Sequence, residues 1–353
     1  MRAGTLVPLE VFTRMDPSLL RNAGEQTTRN LSIFAPVSPP AESIRNLSIL
    51  VFAITGFIFL VVEGVLLYCI VRSRRRAAGE TKEPPQVYGS KPIEIAWTAA
   101  PALIVFILTL VTARSLWEIN IEPPSRPRAS DQTLLVTVVG RQWWWEYTYE
   151  SYNGKKLGFT TANELHIPAS EPGVARPVYL SLKSADVCHS FWVPRLAGKT
   201  DLIPGHPNSL WLQTEQTGLF VGQCAEFCGT QHANMLIRVV VDPPPVFEQW
   251  LDHEASPALD NPGVVVGKAS FLAQTCVNCH RVRGTSAQGT YAPDLTHLMS
   301  RRTLAAGMVP NTPDELRRWV DDPQQVKPGC LMPAFGLSRT DRDRILGYLM
   351  TLR

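Results

Sequence analysis

Two long apolar runs near the amino terminus constrain the fold of this chain most strongly. They cover residues 44–71 and about 95–116, and each exceeds the ~20 residues that a helix needs to cross a bilayer. We therefore predict a transmembrane hairpin over residues 44–117. A hairpin of buried core helices is the alternative, but two runs of this length flanked by arginines disfavour it.

The loop between the two runs carries mostly positive charge. An excess of basic residues in a short loop places that loop in the cytoplasm. Both chain ends are then expected outside the membrane, in the bacterial periplasm, including an N-terminal extracytoplasmic segment over residues 1–43. That segment lacks the apolar stretch of a signal-peptide core. The charged residues of the loop are Arg72, Arg74, Arg75, Arg76, Lys82 and Lys91, against Glu80 and Glu83.

The residue pattern changes after the second apolar run. Short β-branched and aromatic segments alternate with Pro and Gly turns over residues 118–245, which predicts a β-sandwich or barrel. A linker is expected over residues 246–261, where it includes a short helix around residues 247–252. Residues 262–353 then show helical patterning. The 29 prolines concentrate between these segments, so we interpret the Pro-rich stretches as linkers.

A cluster of soft metal ligands follows in the sandwich region. Cys228, His232 and Met235 have the spacing of a blue-copper loop, which needs one thiolate, two imidazoles and a weak thioether. The second imidazole is assigned to His189 on an earlier strand. Cys224 adds a second thiolate, and two thiolates can bridge two copper ions with one imidazole on each. Met235 and a backbone carbonyl, that of Glu226, would complete the two coordination spheres.

Other interpretations of this cluster stay open at this stage. A Cys2His2 zinc site could use the two cysteines and two histidines, although Met235 would then have no role. A disulfide between Cys224 and Cys228 is possible in an oxidising compartment. A chance arrangement is the third alternative.

A second motif predicts a covalently bound haem. Cys276 and Cys279, three residues apart, can bind the two vinyl groups of a haem, and the adjacent His280 can then ligate the iron. Met332 is the best candidate for the distal ligand, with Met299, Met308 and Met350 as rivals. The segment 292–295 resembles the proximal loop of class I cytochromes c, which implies that Pro293 buttresses His280. Half a zinc site or a redox pair is disfavoured, because no second Cys-x-x-Cys appears in the sequence.

The ordered motifs resemble subunit II of haem–copper cytochrome c oxidase with a fused C-terminal class I cytochrome c, as in the caa-type enzymes. The similarity includes the aromatic run at residues 142–145 and the segment 198–205. The resemblance implies a multi-domain membrane protein with a helical hairpin, a cupredoxin-like domain carrying the dinuclear copper centre CuA, and an all-α cytochrome c domain.

The resemblance also implies roles for individual residues. Trp143 matches the aromatic residue through which an electron reaches CuA. Glu94 matches the carboxylate at the mouth of the family's K proton channel. The side chain of Glu226 would reach a magnesium ion at the interface with subunit I. An intramembrane carboxylate, Glu63, and three further cysteines (Cys69, Cys188 and Cys330) receive no assigned role.

The expected function is electron transfer into a respiratory terminal oxidase. Electrons would pass from an external donor, such as a cytochrome c or a quinol–cytochrome c reductase, to haem c, to CuA and to subunit I, with subunit III as a further partner. Oxygen reduction, coupled to proton translocation, would occur in subunit I. A subunit of a nitric oxide reductase and a membrane-anchored copper-delivery protein are the alternatives. The net charge of only +3 gives no indication of nucleic-acid binding.

Overall fold

The structure is a computed structural model, and it describes residues 32–74, 86, 88–120 and 133–353. Most of the expected segment 1–43 and part of the basic loop lie outside these residues. The chain divides into two compact units. One comprises Pro40–Pro124, and the other comprises Met1–Pro39 with Ser125–Arg353.

The helical unit contains two long apolar helices, α1 (Pro39–Arg72) and α2 (Lys91–Asn120). Both are long and apolar enough to cross a membrane, with hydropathies of 2.6 and 2.2. Ser43, at the start of α1, donates a hydrogen bond to Glu118 near the end of α2, so the helices are antiparallel. Each helix extends beyond the predicted apolar run, because the polar residues at its ends continue the helical hydrogen bonding.

The second unit begins with two five-stranded sheets. Their strands are β1 (Leu134–Arg141), β2 (Trp144–Tyr152), β3 (Lys155–Ala162), β4 (Glu164–Pro168), β5 (Val178–Ser184), β6 (His189–Trp192), β7 (Thr200–Leu202), β8 (Asn208–Leu212), β9 (Gly218–Cys224) and β10 (Leu236–Asp242). The strand orders are β3-β2-β1-β5-β8 and β4-β10-β9-β6-β7. β1 pairs with β5 in parallel and with β2 antiparallel.

The alternation of side chains along the strands builds one core between the sheets. Alternate residues of β1 are buried, and the aromatic strand β2 buries Trp145, Tyr147 and Tyr149 on the same face. A period of two residues is what a strand with one core face requires. Strands β3, β6 and β7 give little signal in the sequence, because β3 is rich in polar residues and the other two are short.

The segment 246–261, expected as a linker with a short helix around residues 247–252, is helical as far as Ala255 and packs on the sandwich. Helix α3 (Pro244–Ala255) follows β10 directly and buries Phe247 and Leu251 in the sandwich core. The ring of Trp250 stacks on His166, with 4.3 Å between the ring centroids. Burial of these apolar side chains fixes the helix against the sandwich.

The C-terminal part of the same unit is helical with its own core. It contains α4 (Val265–Leu272), α5 (Cys276–Cys279), a short ribbon of β11 (Thr303–Leu304) and β12 (Val309–Pro310), α6 (Pro313–Asp321), α7 (Pro323–Val326) and α8 (Arg339–Leu349). Helices α4 and α8 pack closely, and Gly267 permits this approach because a Cβ there would lie 2.2 Å from the carbonyl oxygen of Arg344. The C-cap of α5 is His280.

Candidate metal and haem sites

Six potential metal donors converge at one end of the sandwich. The two thiol sulfurs of Cys224 and Cys228 are 3.8 Å apart. Each sulfur has one imidazole nearby: the Nδ1 atom of His189 lies 3.9 Å from Cys224, and that of His232 lies 3.6 Å from Cys228. The sulfur of Met235 is 3.9 Å from Cys228. The carbonyl oxygen of Glu226 lies 3.3 Å from the sulfur of Cys224.

The strand arrangement places these donors together. Cys224 ends β9, and its backbone N–H donates to the carbonyl of Met235, which immediately precedes β10. The loop therefore folds back on itself and carries five of the six donors within twelve residues, four side chains and the Glu226 carbonyl. His189 begins β6, which pairs with β9. The fifth side-chain donor thus comes from a neighbouring strand.

The two thiols are electrostatically coupled. A hydrogen bond with Cys228 lowers the pKa of the Cys224 thiol to about 3, despite its burial. The same contact, together with burial, raises the pKa of Cys228. The pair therefore holds one proton tightly. A sulfur separation of 3.8 Å also far exceeds the ~2.05 Å of a disulfide bond.

A carboxylate orients the buried imidazole of His189. Its Nε2 atom lies 2.7 Å from Asp186, while its Nδ1 atom faces Cys224. Burial lowers the pKa of His189, but the hydrogen bonds to Asp186 and Cys224 outweigh that effect and raise it. A carboxylate behind a histidine ring is the usual support of a metal-binding imidazole, because it fixes the ring and its tautomer.

Trp143 lies directly beside the thiol loop. Its indole Nε1 donates to the carbonyl of Cys228 at 2.9 Å, and the same carbonyl accepts a second hydrogen bond from Gln142 at 2.8 Å. Only 9% of Trp143 is exposed. The side chain of Glu226, in contrast, is exposed to solvent in the described part of the chain.

The predicted haem residues line a single cavity of about 300 Å³. Cys276, Cys279, His280 and Met332 all contribute to its wall. The Nδ1 atom of His280 lies 2.7 Å from the carbonyl of Pro293, which leaves the other ring nitrogen free to ligate. Burial lowers the pKa of His280, so the imidazole is neutral. A neutral imidazole held by a backbone carbonyl suits an iron ligand.

The distal loop is held in place by a glutamine that sequence reasoning missed. The side-chain amide of Gln324 donates to the carbonyls of Cys330 and Met332, at 2.9 and 3.0 Å. Its oxygen accepts from the backbone N–H of Gly329 at 2.8 Å. Met332 lines the cavity, and the rivals (Met299, Met308 and Met350) do not.

A buried lysine joins the haem part of the chain to the sandwich. Lys327 is 3% exposed, and its ammonium donates to three carbonyls, those of Trp143 at 2.7 Å, Asn234 at 2.9 Å and Ala305 at 3.3 Å. Burial lowers its pKa to about 8. Three carbonyl acceptors compensate the cost of removing an ammonium group from water.

A buried carboxylate makes a second connection between the same parts. Glu164, on β4, accepts hydrogen bonds from the backbone N–H groups of Arg302 and Thr303 and from the Thr303 hydroxyl, at 2.8–3.0 Å. Arg238 and Leu236 of β10 also donate to the carbonyls of Gly307 and Ala306. The cavity wall accordingly includes Trp143 and Trp144 from the sandwich.

The remaining sequence-predicted residues lie elsewhere. Glu94 is in the first turn of α2, where its carboxylate accepts from the backbone N–H of Ser90 at 3.2 Å. Glu63 lies within α1. Cys69 and Cys188 are exposed, and the sulfur of Cys330 accepts from Gln324. None of these three cysteines belongs to the thiol–imidazole cluster.

Fold and sites together define a class: a membrane-anchored protein with a thiol–imidazole metal cluster in a sandwich and a haem-attachment motif in a helical domain. Three families match the chain in order. They are the transmembrane domain (residues 27–114) and periplasmic domain (134–242) of cytochrome c oxidase subunit II, and cytochrome c (264–353).

Two known proteins are similar to this chain over nearly its whole length, and one solved domain is similar to part of it. Cytochrome c oxidase subunit 2 of Alkalihalophilus pseudofirmus is 32% identical and covers 99% of this chain and 97% of its own length. The Bacillus subtilis protein of the same name is 30% identical, over 96% and 95%. The periplasmic domain of subunit II from Bradyrhizobium japonicum is 29% identical over 36% of this chain and 95% of its own, with a TM-score of 0.32.

The chain belongs to the cytochrome c oxidase subunit II family. It is a subunit of a haem–copper terminal oxidase, an oxidoreductase complex with other subunits, and serves in the transfer of electrons into it. The expected fold class, a membrane hairpin followed by a β-sandwich and a helical cytochrome c domain, is confirmed. The soluble domains lie outside the membrane. The matched families imply copper and haem as cofactors. The nitric oxide reductase and copper-delivery alternatives are not favoured.

Proposed function

We propose that this chain carries electrons from an external donor through a covalent haem c to a dinuclear CuA centre, and from there to subunit I. The observation that carries the proposal is the position of Trp143. This residue hydrogen-bonds to a thiol-loop carbonyl, accepts a hydrogen bond from Lys327 and lines the haem cavity. One residue therefore touches both sites.

The residues at the copper site fit two ions better than one. Each of the two sulfurs has its own imidazole, and the thioether of Met235 and the carbonyl of Glu226 lie near different sulfurs. A tetrahedral Cys2His2 zinc site would use neither the thioether nor the carbonyl. His189, Cys224, Cys228, His232, Met235 and the Glu226 carbonyl would hold the two coppers.

The residues at the second site fit a haem with His/Met ligation. Cys276 and Cys279 would bind the vinyl groups, and His280 and Met332, which both line the cavity, would ligate the iron. When bound, copper and haem supply the one-electron chemistry. Methionine ligation raises the haem potential, as an electron carrier requires.

The protein's part in the reaction is to hold the two sites at fixed separation. Lys327 and Glu164 make buried polar contacts between the sandwich and the haem domain, so the haem domain is docked on the sandwich. A tethered and docked donor replaces a bimolecular encounter with an intramolecular step.

The proposal has three further parts. The exposed Glu226 carboxylate would bind a magnesium ion together with subunit I, and proton uptake would occur near Glu94. Subunit III would be a further partner.

The purified oxidase tests this route by rapid reduction from an external cytochrome c under anaerobic conditions. Haem c should become reduced first, and the copper signal should follow within the same complex at a rate independent of protein concentration. Copper reduced before haem c, or a rate that increases with protein concentration, would contradict the proposed order.

A further inference from the structure

A second cluster of metal-binding side chains lies at the end of helix α3, outside both sites described above. His253, Glu254 and His297 each offer a donor atom, and these atoms all lie within 4.8 Å of one another. Glu254 is 3% exposed and His297 is 2% exposed. None of the three contributes to the haem cavity.

The hydrogen bonding of His297 leaves one of its nitrogens unpaired. Its Nε2 atom lies 3.0 Å from the carbonyl of Ser256, so this nitrogen carries the proton. The Nδ1 atom is then a bare acceptor, and it is buried without a hydrogen-bond partner. A buried lone pair without a donor is costly. An imidazole held by a carbonyl at one nitrogen, with the other nitrogen unpaired, is the arrangement of a metal ligand.

The other donors complete a small coordination site. His253 is half-exposed, and its Nδ1 atom lies 3.9 Å from the Glu254 carboxylate. The rings of His253 and His297 are 4.3 Å apart. Burial and the neighbouring imidazole lower the pKa of His253, and burial lowers that of His297, so both rings are neutral.

We propose that His253, Glu254 and His297 bind a divalent transition-metal ion of the zinc class, which joins the end of α3 to the haem domain. Two imidazoles and one carboxylate are a common donor set for zinc. Bonds of about 2.0–2.1 Å require the donors to approach each other by roughly 1 Å. The half-exposed ring of His253 is able to make that movement.

Positive side chains oppose this binding and set its strength. Arg283 and Arg301 act on the carboxylate of Glu254, while burial raises its pKa. The metal ion would displace the proton that burial favours on Glu254. The ion would be a third positive charge near this buried carboxylate, besides the guanidinium groups of Arg283 and Arg301. Repulsion from these two groups makes metal binding weaker than at an isolated His2Glu site.

The location gives the ion a structural role. Arg283 donates to the carbonyl of Glu254, and the N–H of Ala258 donates to Arg283, so the end of α3 already contacts the haem domain here. Because α3 packs on the sandwich through Phe247 and Leu251, an ion between α3 and His297 would stabilise the docked haem domain.

The test uses the purified oxidase with copper and haem in place, so that added Zn²⁺ cannot occupy the thiol site. After incubation with zinc and gel filtration, zinc per haem c is measured for wild type, His253→Gln, His297→Gln and His206→Gln. His206 is an exposed histidine outside all three sites and serves as the control. Haem spectra and the copper signal of each variant confirm that the domains are intact.

Wild type and the His206→Gln variant should each retain one zinc per haem, and both cluster variants should lose it. Cobalt in place of zinc should give the absorption of an imidazole-bound ion only in wild type and control. Zinc retained equally by all four proteins, or by none, would overturn the proposal. Either result leaves the copper and haem signals, and hence the proposed electron route, unaffected.

Discussion

The ammonium of Lys327 donates a 2.7 Å hydrogen bond to the main-chain oxygen of Trp143, 184 residues earlier in the chain. The indole of Trp143 in turn donates to the carbonyl of Cys228. Two hydrogen bonds thus connect a loop of the haem domain to the main-chain carbonyl of Cys228, a residue of the metal cluster. The relative position of the two sites depends on this buried contact.

Replacing Lys327 with methionine should loosen the docked haem domain. The substitution leaves three buried carbonyls without their shared donor, and each such loss costs about 1–3 kcal/mol. We expect electron transfer from haem to copper to slow severalfold in Lys327→Met, as measured by time-resolved reduction of the oxidase. Lys268→Met is the control, because Lys268 makes only a surface ion pair with Asp260. Equal rates of electron transfer from haem to copper in Lys327→Met and Lys268→Met would contradict a role of the Lys327 hydrogen bonds in this transfer.

Replacing Trp143 with phenylalanine tests the same contact between the haem domain and the thiol loop, this time on the sandwich side. The variant keeps an aromatic ring but loses the hydrogen bond to Cys228, whose carbonyl still accepts from Gln142. The copper spectrum should remain, while transfer from haem to copper becomes slower than in wild type. The same change at Trp211, on the outer strand β8, should have no effect on the rate. An unchanged rate in Trp143→Phe would remove this residue from the route.

Asp186 should govern copper affinity through His189. The Asp186→Asn change removes the carboxylate behind the imidazole, and loss of such a partner typically costs 10–100-fold in metal affinity. Competition with a copper chelator measures the effect. Asp260→Asn, at an exposed position of the haem domain, is the control. Copper retention equal to wild type in Asp186→Asn would show that the hydrogen bond at 2.7 Å does not support the metal.

Gln324 should control the haem potential by holding the distal loop. In Gln324→Ala the carbonyls of Cys330 and Met332 lose their common donor, so Met332 is released from its position. Because methionine ligation raises the potential of a haem, we expect a lower potential in a redox titration of haem c. Gln325→Ala is a matched control, since Gln325 contacts only the nearby Asp322. A potential that falls equally in both variants would contradict this role.

Residues that are close in the sequence could be grouped into candidate sites from the sequence alone, and the reason is physical. Cys224, Cys228, His232 and Met235 lie within one twelve-residue loop, and Cys276, Cys279 and His280 lie within one helical turn, so spacing alone indicates their chemistry. His189 required a strand partner, and β6 does pair with the strand that ends in Cys224.

Contacts between distant segments could not be predicted in the same way. A lysine in a loop is normally exposed, and nothing in the sequence around Lys327 indicates that its ammonium is buried under three carbonyls. Glu164 is equally ordinary in sequence, although it caps two backbone N–H groups 138 and 139 residues away. The segment 246–261 appeared to be a linker because its apolar face becomes visible only once the sandwich provides a surface for Phe247 and Leu251.

The most direct test of the account is an EPR spectrum of the full chain within its oxidase, combined with copper and iron analysis of the same sample. The account predicts a mixed-valence signal shared by two coppers on each copy of this chain, together with one haem c. A single-copper signal, or a thiol site holding zinc, would contradict the dinuclear centre formed by Cys224 and Cys228.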